Sequence, residues 1–149
     1  MPRQKFRRGF CYTEVERNFN RMVSKITHNI QVTVVPEYDY KNSYPSDNRF
    51  VFRYHITIEN LGEEEVKLLK REWLIYDVGF GYQQVAGDGV IGLTPVIKPG
   101  ETFRYFSNVM LHSGVGHMKG NYKILNLKND EIFEVEIPKF QLHSEVLSN

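Results

Sequence analysis

Six consecutive residues, Gly87-Asp88-Gly89-Val90-Ile91-Gly92, match the pattern GxGxxG and are the strongest candidate for chemistry in the chain. In dinucleotide-binding folds, glycines at this spacing let backbone amides approach a pyrophosphate at the start of a helix. Here Pro95, Pro99 and Gly100 follow, and they exclude a helix at that place. A loop of amides can hold an anion without a helix. The residues predicted to bind such a ligand are Gly87, Asp88, Gly89 and Gly92. The alternative is that the glycines only permit tight turns between strands.

The remaining reactive side chains form no pattern that is typical of catalysis or metal binding. Cys11 is the only thiol, and His112 and His117 are separated by four residues without an acidic side chain. No G-x-S-x-G sequence marks a nucleophile, and the acidic run Glu63 to Glu65 lies at a turn, where it is solvated. We therefore predict no catalytic residue, no metal site and no cofactor.

Charge is unevenly distributed along the 149 residues. Residues 1–25 hold seven basic and two acidic side chains, whereas residues 26–149 hold twelve basic and sixteen acidic ones. The aromatic residues of 1–25 follow neither a helical nor a strand period, so this segment is predicted to be a basic, disordered leader. Residues 26–149 are predicted to form one domain. They lack a basic patch with interleaved aromatic residues, so nucleic-acid binding by the fold is not expected.

Composition limits the class of protein. Hydrophobic residues make up 41% and aromatic residues 13% of the chain, which is enough for a packed core and too much for a disordered chain. Charged residues, glycine or proline interrupt every apolar stretch, so no membrane insertion is expected. The single cysteine excludes an internal disulfide, and no apolar signal segment follows the basic start. A cytoplasmic location is predicted.

Strict alternation of apolar and polar residues indicates strands. It is clearest from Phe50 to Ile58, where every second side chain is apolar. About seven short strands separated by turn signals predict an all-β protein, an antiparallel β-sandwich. The lone tryptophan, Trp73, is predicted to be the core residue that packs across the two sheets.

Three segments are predicted to interrupt this pattern. Residues 87–99, with three glycines and two prolines, are expected to be a long loop, and so is the glycine-containing segment 112–120. Pro138 is expected to end the strand before it, so that Phe140 begins a separate edge strand.

Several ordered motifs together resemble the ApaG family from about Thr27 to Leu142. They are Arg71-x-Trp73-x-Ile75-x-Asp77, Gly87-x-Gly89-Val90-Ile91-Gly92-x-x-Pro95, Pro99-Gly100-x-x-Phe103-x-Tyr105-x-Ser107, Gly116-x-Met118-x-Gly120-x-Tyr122 and Ile137-Pro138-x-Phe140-x-Leu142.

The resemblance implies a fibronectin-type-III-like or immunoglobulin-like sandwich. It also implies a link to resistance to, or efflux of, the divalent cations cobalt and magnesium, and it has suggested nucleotide binding for the glycine motif. Related domains inside F-box adaptors and a DNA-polymerase-associated protein imply protein–protein recognition. The family pattern defines no catalytic residues.

These observations favour a non-enzymatic binding module that recognises an unidentified protein partner. Edge strands and the loops 39–48 and 86–99 are the expected recognition surface. A protein that binds pyrophosphate, a nucleotide or another small anion through Gly87–Gly92 is the alternative, and a divalent cation is a less favoured ligand. Because related sequences start close to the position of Met22, residues 1–21 are predicted to add nothing to the fold.

Overall fold

The computed structural model describes residues 21–145, and within that range the chain forms an all-β sandwich of two antiparallel sheets. The first sheet has the strand order β1-β2-β3-β7, and the second has the order β5-β4-β8-β9, with β6 also paired to β4. No helix in this range is long and apolar enough to cross a membrane. The strands are β1 (Val23–Thr27), β2 (Ile30–Tyr38), β3 (Phe50–Asn60), β4 (Val66–Asp77), β5 (Gly81–Asp88), β6 (Val96–Ile97), β7 (Thr102–Leu111), β8 (Val115–Asn126) and β9 (Ile132–His143).

The core lies between the sheets and is built from the inward face of each strand. In β3 the apolar side chains at alternate positions from Phe52 to Ile58 are buried, as the sequence alternation predicts. Trp73 of β4 is 5% exposed, and its ring centroid lies 5.3 Å from that of Tyr54 in the first sheet. Trp73 therefore packs across the two sheets, and its predicted role in the core is confirmed.

Nine strands are present in the described range, compared with about seven predicted. The two that the sequence pattern missed are β1, which is largely exposed and lacks a clear apolar face, and β6, which has only two residues. Strand β1 begins at Val23, so residues 23–25 of the predicted leader (1–25) belong to the first sheet, next to the predicted domain (26–149). Residues 1–20 lie outside the described range, and the leader prediction falls mostly on them.

The predicted loop at 112–120 is wrong, because β8 starts at Val115 and continues through both glycines. A Cβ atom on Gly116 would lie 1.9 Å from the Tyr76 carbonyl oxygen, and one on Gly120 would lie 2.1 Å from the Glu72 carbonyl oxygen. These glycines therefore allow β8 to approach the backbone of β4 closely instead of breaking the strand.

The predicted break at Pro138 is also wrong. Strand β9 continues to His143, and its pairing with β8 shifts between Met118 and Gly120. This β-bulge accommodates Pro138, which has no amide hydrogen to donate to the ladder. The segment 87–99 likewise contains the end of β5 and the short β6.

Candidate functional site

The GxGxxG motif forms a two-residue hairpin, and no helix follows it. Val90 and Leu93 exchange backbone hydrogen bonds of 2.9 and 2.8 Å. Between them, Ile91 and Gly92 both have positive φ angles of 44° and 78°, as in a type I′ turn. Gly89, with φ 61°, has no room for a side chain, because a Cβ atom would lie 2.1 Å from the Leu93 carbonyl oxygen. The hairpin thus explains Gly89 and Gly92 without a ligand.

The backbone of this hairpin presents carbonyl groups, not amides, to the guanidinium group of Arg71. The Gly89 amide donates to the Leu69 carbonyl at 2.7 Å. Arg71 Nη1 donates to the carbonyl oxygens of Asp88 and Gly89 at 3.0 and 2.9 Å. A Cβ atom on Gly87 would meet that same nitrogen at 2.8 Å. The glycines are therefore arranged around Arg71, and ligand binding by Gly87, Asp88, Gly89 and Gly92 stays a prediction.

The motif Arg71-x-Trp73-x-Ile75-x-Asp77 is the inward face of β4, and its polar ends each hold a turn. Arg71 holds the glycine hairpin. At the other end, the Asp77 carboxylate accepts hydrogen bonds from the amides of His112 and Ser113 at 2.7 and 3.0 Å and from Ser113 Oγ at 2.6 Å. Asp77 therefore positions the turn between β7 and β8, and the motif has a structural role at both ends of the strand.

The polar contact in the core between the sheets is a pair of tyrosine hydroxyl groups. Tyr105 Oη on β7 and Tyr122 Oη on β8 lie 2.6 Å apart. Burial raises the pKa of both hydroxyls, so they stay neutral and satisfy one another inside the core. This buried pair joins the two sheets.

The histidines do not converge. His112 stacks on Phe80 with ring centroids 5.2 Å apart, whereas His117 lies on the outer face of β8, 5.2 Å from the ring of Tyr76. Partial burial lowers the pKa of His117, and nearby Lys139 and Lys119 act in the same direction. Within residues 21–145, no group of three His, Cys, Asp or Glu side chains is arranged to hold a metal ion. Cys11 lies outside that range.

The two loops predicted to share a recognition surface lie at opposite ends of the sandwich. Asp39, which opens the loop 39–48, donates its amide to Val51 at the start of β3 at 2.8 Å. Ile97, near the end of the segment 86–99, accepts a hydrogen bond of 3.0 Å from the side chain of Asn60 at the end of β3. Eleven extended residues span about 33 Å. The two loops therefore lie at the two ends of the strands, and a recognition surface made of the edge strands and both loops stays a prediction.

The edge strands are the other part of the predicted recognition surface. They differ in how they are protected against pairing with another strand. On one side of the sandwich β9 packs against β1 and β2, and Lys25 Nζ lies 2.9 Å from Glu136 Oε1. The other long edges are β7, which carries Arg104, and β5, which has no charged residue from Gly81 to Gly87. Charges, proline and bulges are the usual protection of an edge strand against another strand. Strand β5 has none of these before Asp88.

The outer face beside β5 is partly aromatic. Tyr82 of β5 is 63% exposed and stacks on Tyr76, with ring centroids 4.7 Å apart. Farther along the same face, Gln84, Ala86 and Leu74 line one side of an open groove of about 660 Å³. The sequence predicts edge strands in general as a recognition surface and does not single out β5. The uncharged run was visible in the sequence, but it acquires meaning only when β5 is known to lie at an edge.

Comparisons with known proteins agree with these motifs. The family model of the ApaG domain matches residues 40–126. The chain is 45% identical over 123 residues to protein ApaG of Rhodospirillum centenum, covering 83% of this chain and 94% of that protein. It is 42% identical to protein ApaG of Chromohalobacter salexigens over 80% of this chain and 94% of that protein. A crystal structure from Bordetella pertussis, described as an ApaA protein, matches with a TM-score of 0.76 and 36% identity over 80% of this chain and 97% of that one. The chain belongs to the ApaG family.

Proposed function

We propose that this protein is a non-enzymatic, cytoplasmic binding module that recognises a protein partner through the free edge of β5. The observation that carries the proposal is the uncharged edge from Gly81 to Gly87 at the rim of the second sheet. An extended segment of a partner can add to such an edge, because unpaired backbone groups supply the hydrogen bonds. Alternate side chains along the edge then supply specificity.

The side chains around β5 favour a protein partner over a small ligand. Val78, Phe80 and Tyr82 are all exposed at the start of the strand, and Ile91 and Leu93 are exposed beyond its end. Such apolar residues along a strand edge contribute contact area that an added strand would bury. The family motifs support the same conclusion indirectly, since Arg71, Trp73 and Asp77 are engaged inside the fold.

Membership of the ApaG family predicts a fibronectin-type-III-like or immunoglobulin-like sandwich. It also predicts a link to cobalt and magnesium, and both stay predictions for this chain. We place any such link in the bound partner, because the His, Asp and Glu side chains of residues 21–145 form no group suited to a cation. The module would then act on cation handling only through what it binds.

The test uses proline at neighbouring positions of β5, with partner capture as the readout. In an edge strand, successive amides point alternately to the neighbouring strand and to solvent. Of Gln83→Pro and Gln84→Pro, one therefore leaves the pairing with β4 intact and removes a donor that an added strand would use. The variant that keeps the melting temperature of the wild type is the informative one.

The matched control uses proline at two neighbouring positions of β7, Asn108→Pro and Val109→Pro. Of these two, the variant that keeps the melting temperature of the wild type is used. Proteins captured by the wild type are identified, purified and titrated against each variant. At least a tenfold loss of affinity confined to the β5 variant supports the proposal. Equal affinity for the wild type and both edge variants contradicts it.

A further inference from the structure

We propose that a second copy of this chain occupies the free edge of β5 when no other partner is bound. This inference rests on the proposed function, because it concerns the same edge. The two β5 strands would run antiparallel about a two-fold axis perpendicular to the second sheet. The second sheets of the two copies would then form one continuous sheet, with the same surface of each copy in contact.

The side chains of β5 are complementary to themselves about an axis through Gln84. Tyr82, Gln84 and Ala86 lie on the outer face, since they pair with Tyr76, Leu74 and Glu72 of β4. The axis places Tyr82 opposite Ala86 of the second copy and Gln84 opposite its own counterpart. On each side of the central Gln84 pair, the large ring of Tyr82 therefore faces the small side chain of Ala86. The two Gln84 side-chain amides can hydrogen bond to each other. Moving the axis to Val85 would instead place Tyr82 opposite the charge of Asp88.

Charge does not oppose this pairing. Asp88 is the first charged residue of the strand, and the two copies of Asp88 would lie at opposite ends of the paired edge. Their separation along the strands is about eight residues, or about 27 Å. At that distance salt screens most of the repulsion between them. By contrast, antiparallel pairing of β7 about an axis at Phe106 or Ser107 would place the two Arg104 residues only four to six residues apart along the strands, or about 14–20 Å.

Exposed apolar residues lie at both ends of β5, where pairing about a two-fold axis would bring them into contact with the second copy. The turn before the strand exposes Val78 and Phe80 by 44% and 62%, and the glycine hairpin after it exposes Ile91 and Leu93 by 56% and 50%. Because paired antiparallel strands run in opposite directions, the turn of one copy lies beside the hairpin of the other. Each end of the paired edge would thus bury apolar surface from both copies.

The test is sedimentation equilibrium of the full chain from about 1 to about 300 µM, a range suited to weak association. The wild type is expected to rise from the monomer mass of 17.5 kDa toward twice that value. Gln84→Lys and Gln84→Glu are each expected to stay monomeric, because each places like charges together at the axis. An equimolar mixture of the two variants is expected to restore the dimer, since opposite charges then meet.

Asn108→Lys, which places the same charge on the exposed edge of β7, is the matched control and is expected to leave the dimer constant within about twofold of the wild type. A wild type that stays monomeric over the whole range overturns the inference but leaves the capture test of the proposed function unaffected. A dimer that survives both Gln84 variants, or a mixture that remains monomeric, also overturns pairing through β5. Loss of the dimer in Asn108→Lys alone would assign the contact to β7.

Discussion

The two long sides of the sandwich are closed in different ways. On the side of β1 and β9, side chains cross between the sheets, with Glu136 bonded to Lys25 and its amide 3.3 Å from Thr27 Oγ1. On the opposite side, Tyr105 of β7 bonds to Tyr122 of β8 inside the core, but the described residues show no ion pair or hydrogen bond between β5 and β7. Because open edges carry a risk of aggregation, this asymmetry supports the proposal that the edge of β5 binds a partner.

The largest expected effect lies in the core that holds both sides in place. Trp73→Ala removes a ring that contacts Tyr54 across the sheets and Phe140 beside it. Because it leaves a cavity, it is expected to lower the free energy of unfolding by about 3–5 kcal/mol. Denaturant titration with circular dichroism measures this change. A loss below about 1 kcal/mol would contradict the bridging role of Trp73.

An intermediate effect is expected at the hairpin that continues the open side. Gly89→Ala and Gly92→Ala both place a side chain at positive φ, at 61° and 78°, but only Gly89 faces a carbonyl oxygen within 4 Å. Gly92→Ala is therefore expected to cost about 1–2 kcal/mol and Gly89→Ala about 3 kcal/mol. Equal losses in thermal unfolding would show that the close contact at Gly89 relaxes without cost.

The same pair of variants tests the alternative ligand. Calorimetry of the wild type with pyrophosphate, ATP, Mg²⁺ and Co²⁺ is expected to show no binding heat, because the Gly89, Val90 and Leu93 amides already donate within the protein. Micromolar binding of pyrophosphate that Gly92→Ala weakens at least tenfold would instead establish the glycine hairpin as an anion site.

The smallest effect is expected at the start of the closed side. A chain that begins at Met22 loses Arg21, whose Nη2 lies 3.0 Å from Glu145 Oε2, and retains all of β1. Because a partly exposed ion pair contributes about 1 kcal/mol or less, the melting temperature is expected to fall by less than about 5 °C. Insolubility or a larger fall would show that residues 1–21 pack on the body of the protein.

The strands with strict alternation were predictable from sequence, and those shaped by contacts with distant residues were not. Phe50 to Asn60 carries its own pattern, so β3 follows from local sequence. Gly116, Gly120 and Pro138 resemble strand breakers until the close approach of β4 and the bulge with β8 are known. Similarly, the GxGxxG spacing is compatible with a nucleotide loop or with a hairpin, and the hairpin is recognised only from the backbone hydrogen bonds between Val90 and Leu93.

The ultraviolet absorbance of Tyr105 and Tyr122 can report whether the two sheets are in contact. Free tyrosine ionises near pH 10 and its absorbance shifts, whereas burial raises the pKa of both of these side chains. Above about pH 10 the unfolded chain therefore loses protons that the native chain retains, and alkaline conditions favour separation of the two sheets. Because one tyrosine belongs to each sheet, a step in the ultraviolet absorbance above the pH at which exposed tyrosines ionise would mark the unfolding of the sandwich.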